Sequence, residues 1–398
     1  MMGASSRLAR GAPALLAVAL LAACGASSTT PAPLTPAVAT PGRSSAAPAS
    51  PTPATASPHS PGVHPPPTPA PAGFQVASVT FVSAQDGWVL GTAPCSSGRC
   101  LAMARTTDAG ATWSSVTPPP TLFSPGQGVS GVRFADLRDG WAYGSQLWAT
   151  HDGGASWVRV TLPGLRCSGG MTPPIQGLEA AAGMVDAVVC GSSGFAIDSS
   201  PVGSNAWTSS PTTVGYGAGP VPSAQLVVQT TSGWVVENDR VVAGGAQLRS
   251  GAWAAWTPPC SAVGGPATVA ASTPQDLFAL CDVGLWTSSS PSERAYVSSD
   301  GGARFSPLGA RLPSGCQGSS TLAMVSSLVA AAGCGADVVA TFDGGASWST
   351  VYTGSGTVRY VGFTTATQGV AIETPASSSV GTLLVTHDGG HSWTPASI

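Results

Sequence analysis

The residues with the most obvious chemical capacity lie near the end of the 398-residue chain. There VTHDGGHSW (385–393) gathers His387, Asp388, His391 and Trp393 around a Gly-Gly pair. Imidazole and carboxylate so placed can bind a metal or move protons. The stretch has relatives, however: TTDAGATW (106–113), THDGGASW (150–157), SSDGGARF (298–305) and TFDGGASW (341–348). What recurs is a hydroxyl residue, then Asp108, Asp152, Asp300, Asp343 or Asp388, then glycine, then Trp113, Trp157, Phe305, Trp348 or Trp393. The histidines do not recur. Each shared residue has a structural use. Gly-Gly permits positive φ in a tight turn, the carboxylate can accept N–H bonds inside it, and the aromatic ring can lock it in place. The repeated aspartates are therefore expected to be architecture, with a metal role for His151, His387 and His391 as the alternative.

Two weaker positions, Trp207 and Trp256, fill the central gap. The aromatic positions 113, 157, 207, 256, 305, 348 and 393 are then spaced by 44, 50, 49, 49, 43 and 45 residues. A second motif precedes several copies: FVSAQDGWVLG (81–91) and FADLRDGWAYG (134–144), with looser versions LVVQTTSGWVV (226–236) and VGFTTATQGVAI (361–372). Each reads as strand, turn ending in glycine, strand, which is a hairpin signature. Segments such as VASVTFV and VSGVRFA alternate as half-buried strands do. Four short strands per unit of about 46 residues, repeated seven times, predict an all-β, seven-bladed β-propeller of four-stranded antiparallel blades over residues 73–398.

The Asp-Gly motif resembles the Asp-box, or BNR repeat, of sialidases, sortilins and many bacterial propellers. The combined DGW and DGG-x-SW units most resemble the photosystem II assembly factor family of cyanobacteria and plastids. That resemblance implies a lipid-anchored or lumenal propeller, with the box between the third and fourth strands of each blade and outside any catalytic site. Function is then expected on the opposite face, in loops such as CSSGR (95–99), SPGQG (124–128), LRCSGG (165–170), TVGYGAGP (213–220) and ARLPSGC (310–316). These supply Arg99, Arg166, Arg311 and Tyr216 as candidate ligand-binding residues, since arginine grips carboxylates bidentately. A sialidase would use three arginines, a Tyr–Glu nucleophile pair and an Asp acid/base. The Arg-Ile-Pro segment typical of that family is absent here, and Glu179, Glu237, Glu293 and Glu373 are the only glutamates. No nucleophile elbow, P-loop or zinc motif is evident, so no catalytic residue and no cofactor is assigned.

The start of the chain predicts export. Arg7 and Arg10 precede an apolar run of residues 12–22, too short for a permanent bilayer span. The run ends in Leu21-Ala22-Ala23-Cys24, which resembles the lipobox of bacterial lipoproteins. Residues 1–23 are expected to be a signal peptide and Cys24 the lipidated first residue, anchoring an extracytoplasmic domain to the cell membrane. Residues 24–72 hold 14 of the 36 prolines and a single charged residue, Arg43. Such a composition predicts a disordered stalk. Charged residues are only 8% of the chain, none is lysine, and no basic block suggests nucleic acid.

With Cys24 assigned to lipid, eight cysteines remain: Cys95, Cys100, Cys167, Cys190, Cys260, Cys281, Cys316 and Cys334. An even number in an exported chain predicts disulfides. Placed on the repeat, they fall two by two in blades 1, 3, 5 and 6 and predict four local pairs in sequence order. The functional expectation is a non-enzymatic propeller that binds a protein or peptide partner, in an assembly or quality-control role. The alternatives are a sialidase-like glycoside hydrolase and a cell-wall or glycan-binding module.

Overall fold

A computed structural model describes residues 68–167, 173–216, 222–238, 242–261, 265–283, 292–313, 316 and 321–398. The expected signal peptide, Cys24 and nearly all of the stalk lie outside the described residues. From Gln75 onward the chain forms seven four-stranded antiparallel sheets, each built from four consecutive strands. Blades 1 to 7 span residues 75–116, 129–160, 175–215, 223–255, 267–311, 322–353 and 357–395. The first strands of neighbouring blades lie side by side around a central axis, and the fourth strands form the rim. The seven-bladed β-propeller expected from the repeat is thus observed.

The strand pattern explains the layering. Second strands such as Gly87–Cys95 (GWVLGTAPC) are buried on both faces and read as nearly continuous apolar runs. Fourth strands such as Val158–Val160 are short and exposed. Among the described residues the core divides into seven apolar clusters, each lying between two adjacent blades. No blade can bury its faces alone, so the ring is expected to fold as one cooperative unit.

An inner strand leaves one backbone edge facing the axis, and unpaired edges are a liability. Side chains from the preceding blade cover this edge around most of the ring. Ser78 Oγ accepts from Val132 N at 3.0 Å. Arg133 Nε donates to the Leu178 carbonyl at 3.3 Å, and Gln176 Oε1 accepts from Ala224 N at 3.2 Å. The Gln225 amide both accepts from Val269 N and donates to Val269 O, each at 2.9 Å. Asn238 does the same to Ala267, at 2.9 and 2.7 Å. Thr321 Oγ1 accepts from Val361 N at 2.8 Å. At the seam between blades 7 and 1, Val76 and Gly381 exchange two backbone bonds of 2.8 Å. The ring closes there without a shared strand, because each sheet is complete in itself.

The two weak repeats differ from each other. Trp207 immediately precedes the fourth strand of blade 3, Thr208–Gly215, as the aromatic residue does in the strong copies. Trp256 follows the fourth strand of blade 4, Ala252–Ala255. The connection before that strand has shrunk to Ser250-Gly251, with φ of 51° and 78°. Two positive φ values in a two-residue loop suit the twist of a hairpin.

Candidate functional site

The five Asp-Gly turns all join a third to a fourth strand. In the second copy, Thr150 Oγ1 donates to Asp152 Oδ1 at 2.8 Å and accepts from Gly154 N at 2.9 Å. Asp152 also accepts from Ser156 N at 2.8 Å and Ser156 Oγ at 2.5 Å. The glycine pair takes φ of 75° and 96°, and Ala109 adopts 62° where the first copy has alanine. The Ser156 hydroxyl and N–H pull the Asp152 carboxyl down to about 2, and Ser347 does the same for Asp343. At Asp388 burial opposes the shift, yet the Ser392 bonds still bring it to about 2. Asp108 and Asp300 are lowered by bonds from Thr112 and from the Arg304 N–H respectively. These carboxylates are ionised and spent inside their own turns, so they are poor proton carriers.

The turns also bind blade to blade. Trp88 Nε1 donates to the Gly153 carbonyl in the turn of the next blade at 3.3 Å, and Trp234 Nε1 to that of Gly301 at 3.2 Å. Blade 3 lacks the Asp-Gly turn, and the indole that would reach it, Trp141, has a buried Nε1 without a partner. His151 and His391 sit at the same seams, and His387 is exposed on its turn. His151 Nδ1 lies 2.5 Å from Asp139 Oδ1, and its Nε2 lies 3.2 Å from Asn205 of blade 3. The His391 ring stacks on Phe342 of blade 6, with centroids 3.8 Å apart.

The cysteines pair in sequence order: Cys95–Cys100, Cys167–Cys190, Cys260–Cys281 and Cys316–Cys334. The first closes the hairpin between the second and third strands of blade 1. The other three tie the chain entering blades 3, 5 and 6 to the second strand of that blade. Each closes a short loop and is worth a few kcal/mol at most, on the order of 3.

The loop arginines do not converge. Arg99 donates to Thr92 Oγ1 at 2.9 Å, Thr92 O at 2.7 Å and Gly73 O at 2.9 Å, fastening its hairpin to the incoming chain. Arg166 donates to the Leu165 carbonyl at 2.9 Å and acts electrostatically on the buried Asp198. Arg311 is exposed on a fourth strand, opposite Arg294. Tyr216 donates to the Gly191 carbonyl at 2.9 Å and meets Phe195 edge-on. These residues belong to blades 1, 3 and 5, and none lines the cavities on the axis.

The polar side chains that do converge lie in the central channel. Arg133, on the inner strand Val129–Phe134, meets Glu179, on the inner strand Ile175–Ala181, at 2.5 Å. Tyr143 and Tyr360 interact with this pair. Burial outweighs the pull of Arg133 and holds the Glu179 carboxyl above its usual range. Burial also pushes the Tyr143 phenol up to about 12. A cavity of about 520 Å³ opens on one side of this group. It is bounded by the starts of inner strands (Gln176, Ser223, Ala267) and the ends of second strands (Asn238, Asp282), so it faces away from the Asp-Gly turns. A second cavity of about 340 Å³ lies toward the turns and is lined by Arg133, Arg359 and Thr321. Glu179, Gln225 and Tyr360 border both.

Sequence reasoning quoted VSGVRFA for its alternation and passed over Arg133 within it. The usable signal was phase: on an inner strand, the residues between the apolar ones point at the axis. In a chain with 8% charged residues, an arginine and a glutamate at such positions are conspicuous.

No protein-family model matches the chain, and no curated protein matches its sequence. Solved structures do share its fold. YCF48 bound to D1 peptide is 17% identical with a TM-score of 0.55, over 81% of this chain and 94% of that one. YCF48 from Cyanidioschyzon merolae is 14% identical with a TM-score of 0.52, over 81% and 98%. A Mycobacterium tuberculosis puromycin-hydrolyzing peptidase is 13% identical with a TM-score of 0.53, over 81% of this chain and 53% of that one. Identities this low establish a shared propeller architecture.

Proposed function

We propose that the chain is a peptide-binding propeller, acting without chemistry of its own, that engages an extended segment of a partner protein at the central channel. The observation that carries this reading is the cavity of about 520 Å³ on the ring axis, walled by Glu179 and Tyr360 on inner strands, Tyr143 and Asp282 on second strands and Glu293 on a third. Concave sites on a rigid scaffold, with a few placed polar groups, are where ligands bind. The likeness to YCF48, a propeller captured with a D1 peptide, supports a peptide as the ligand class. In this reading the propeller is an extracytoplasmic lipoprotein, held to the membrane through lipid on Cys24 and spaced from it by the proline-rich residues 24–72. An assembly or quality-control role for membrane proteins fits that arrangement.

Two experiments test it. Short random peptides displayed on phage are selected against the full chain, and hydrogen exchange is measured with and without the selected peptide. Slowed exchange confined to the inner strands Ile175–Ala181, Ser223–Gln229 and Ala267–Ala271 is expected. Slowing confined to the Asp-Gly turns, or turnover of a fluorogenic sialoside, would sink the reading. For the anchor, Cys24→Ala is expected to abolish incorporation of labelled fatty acid and release the protein from membranes.

A further inference from the structure

Blades 1 and 5 share an acidic turn between their first two strands but differ in what faces it. In blade 1, Ser83 Oγ donates to Asp86 Oδ2 at 3.0 Å, and Arg105 Nη2 donates to Asp86 Oδ1 at 3.1 Å. Arg105 lies across from Trp88 on the second strand and from Ser114 on the fourth. Its guanidinium covers the Trp88 ring at 4.8 Å. Blade 5 keeps the acid and its hydroxyl: Thr273 Oγ1 donates to Asp276 Oδ2 at 2.9 Å and accepts from Asp276 N at 2.9 Å. It does not keep the arginine. The position across from Phe278 and Ser306 is Val297. Among the described residues no donor reaches Asp276 Oδ1, the oxygen whose counterpart holds Arg105. A cavity of about 380 Å³ opens at this place, between blades 5 and 6. Leu277, Val297 and Met324 give it apolar walls, and Asp276 and Ser306 border it. Asp300 and Arg304 of the Asp-Gly turn also line it. Asp300 is occupied by Ser298 Oγ and the Arg304 N–H, each at 2.9 Å, and Arg304 is exposed.

We propose that this cavity binds a guanidinium group, the arginine side chain of a partner protein, in the place that Arg105 fills from within blade 1. Asp276 Oδ1 is the acceptor, and Thr273 fixes the orientation of its carboxylate as Ser83 does for Asp86. A planar guanidinium can donate to that oxygen while its remaining N–H groups reach Ser306 or water. The aliphatic stem of the arginine lies against Leu277, Val297 and Met324, since such stems cover apolar surface while the charged head stays at a polar group. The ring thus carries its own template for the ligand: where valine replaces arginine on the third strand, the cation has to come from outside. The site lies away from the channel and does not depend on the peptide-binding reading.

The test uses the full chain and N-acetyl-arginine amide, with N-acetyl-citrulline amide as the uncharged near-isostere. Binding is followed by calorimetry. The arginine probe is expected to bind with a dissociation constant on the order of 1 mM, and the citrulline probe at least about tenfold more weakly. Asp276→Asn should weaken the arginine probe by about tenfold or more. Val297→Arg should restore the blade 1 arrangement, raising the melting temperature and abolishing probe binding. Arg304→Ala removes a like charge from the mouth and should tighten the probe by about twofold. Equal binding of the two probes overturns the proposal, as does binding that Asp276→Asn leaves unchanged. If Asp276→Asn fails to fold, Val297→Arg decides: a lowered melting temperature with probe binding intact overturns it. Loss of binding in Arg304→Ala would make this an anion site and overturn it too. Binding of free arginine but not of the blocked probe would overturn the protein source. None of these outcomes bears on peptide binding in the channel.

Discussion

Two sets of carboxylates in this ring have opposite fates. In the Asp-Gly turns, Asp152 and its counterparts accept bonds from their own turn and are pulled down to about 2 at Asp152, Asp343 and Asp388. In the channel, Glu179 has one charged partner, is pushed upward by burial and borders a cavity. The first set is repeated and stands out in the sequence; the second occurs once per position and does not. Repetition marks what every blade needs, which is a turn that holds its neighbour. A binding site is built from what the blades do not share.

That contrast can be broken from either side. The largest effect is expected at the latch: Trp88→Ala removes a fully buried indole and should cost about 3–5 kcal/mol in chemical denaturation. The folded fraction should keep its peptide affinity. A loss of affinity out of proportion to unfolding would join the turn face to the site. In the channel the expectation reverses. Tyr360→Ala should weaken peptide binding by about 1–2 kcal/mol while shifting the melting temperature little, since Tyr360 is only half-buried.

A finer pair tests the latch itself. Trp88→Phe loses the bond to Gly153, whereas Trp141→Phe loses none and relieves a buried donor. The first should be the more destabilising by about 1 kcal/mol in denaturant melts. Ala109→Gly should stabilise by about 1 kcal/mol, because φ of 62° strains alanine and not glycine. His391→Ala should cost least, about 0.5–1 kcal/mol, from the lost stack on Phe342.

Acid should report on the turns, but not on them alone: burial raises Glu179, Asp186 and Asp198, and at Glu373 burial is outweighed by bonds from Tyr352, Gly356 and Ser355 that lower it. A carboxyl whose folded value is lowered contributes stability above its unfolded value, and that contribution disappears as pH falls through the folded one. With an unfolded value near 3.9 and folded values of about 2 at Asp152, Asp343 and Asp388, melting temperature should fall between about pH 4 and pH 2. Asp343→Asn should flatten that fall. An unchanged profile in a triple Asn variant of these three would contradict the geometry of the turns.

The fold was legible because hydroxyl, Asp, Gly and Trp recur at nearly constant spacing, and that spacing counts blades. The disulfides followed from it, since pairs that share a blade are close in space. Blade 4 was harder to read, because its Ser250-Gly251 hairpin leaves no Asp-Gly turn and moves Trp256 past the strand. The site was not legible in the same way. Arg133 and Glu179 are 46 residues apart and meet because two inner strands lie side by side around the axis. The loop arginines drew attention by residue type, but their partners are local: Arg99 holds Thr92 and Gly73, and Arg166 holds Leu165. Proximity across the ring depends on the phase of each strand, which a repeat period does not by itself reveal.

The most direct test places a photo-crosslinking residue at either of two positions in the full chain. One is Tyr360, in the channel. The other is Leu137, which is 48% exposed on the turn face. With a selected peptide bound, a crosslink from position 360 and none from position 137 is the predicted result. A crosslink from position 137 alone would place recognition on the face that the repeated aspartates build, and would contradict the account.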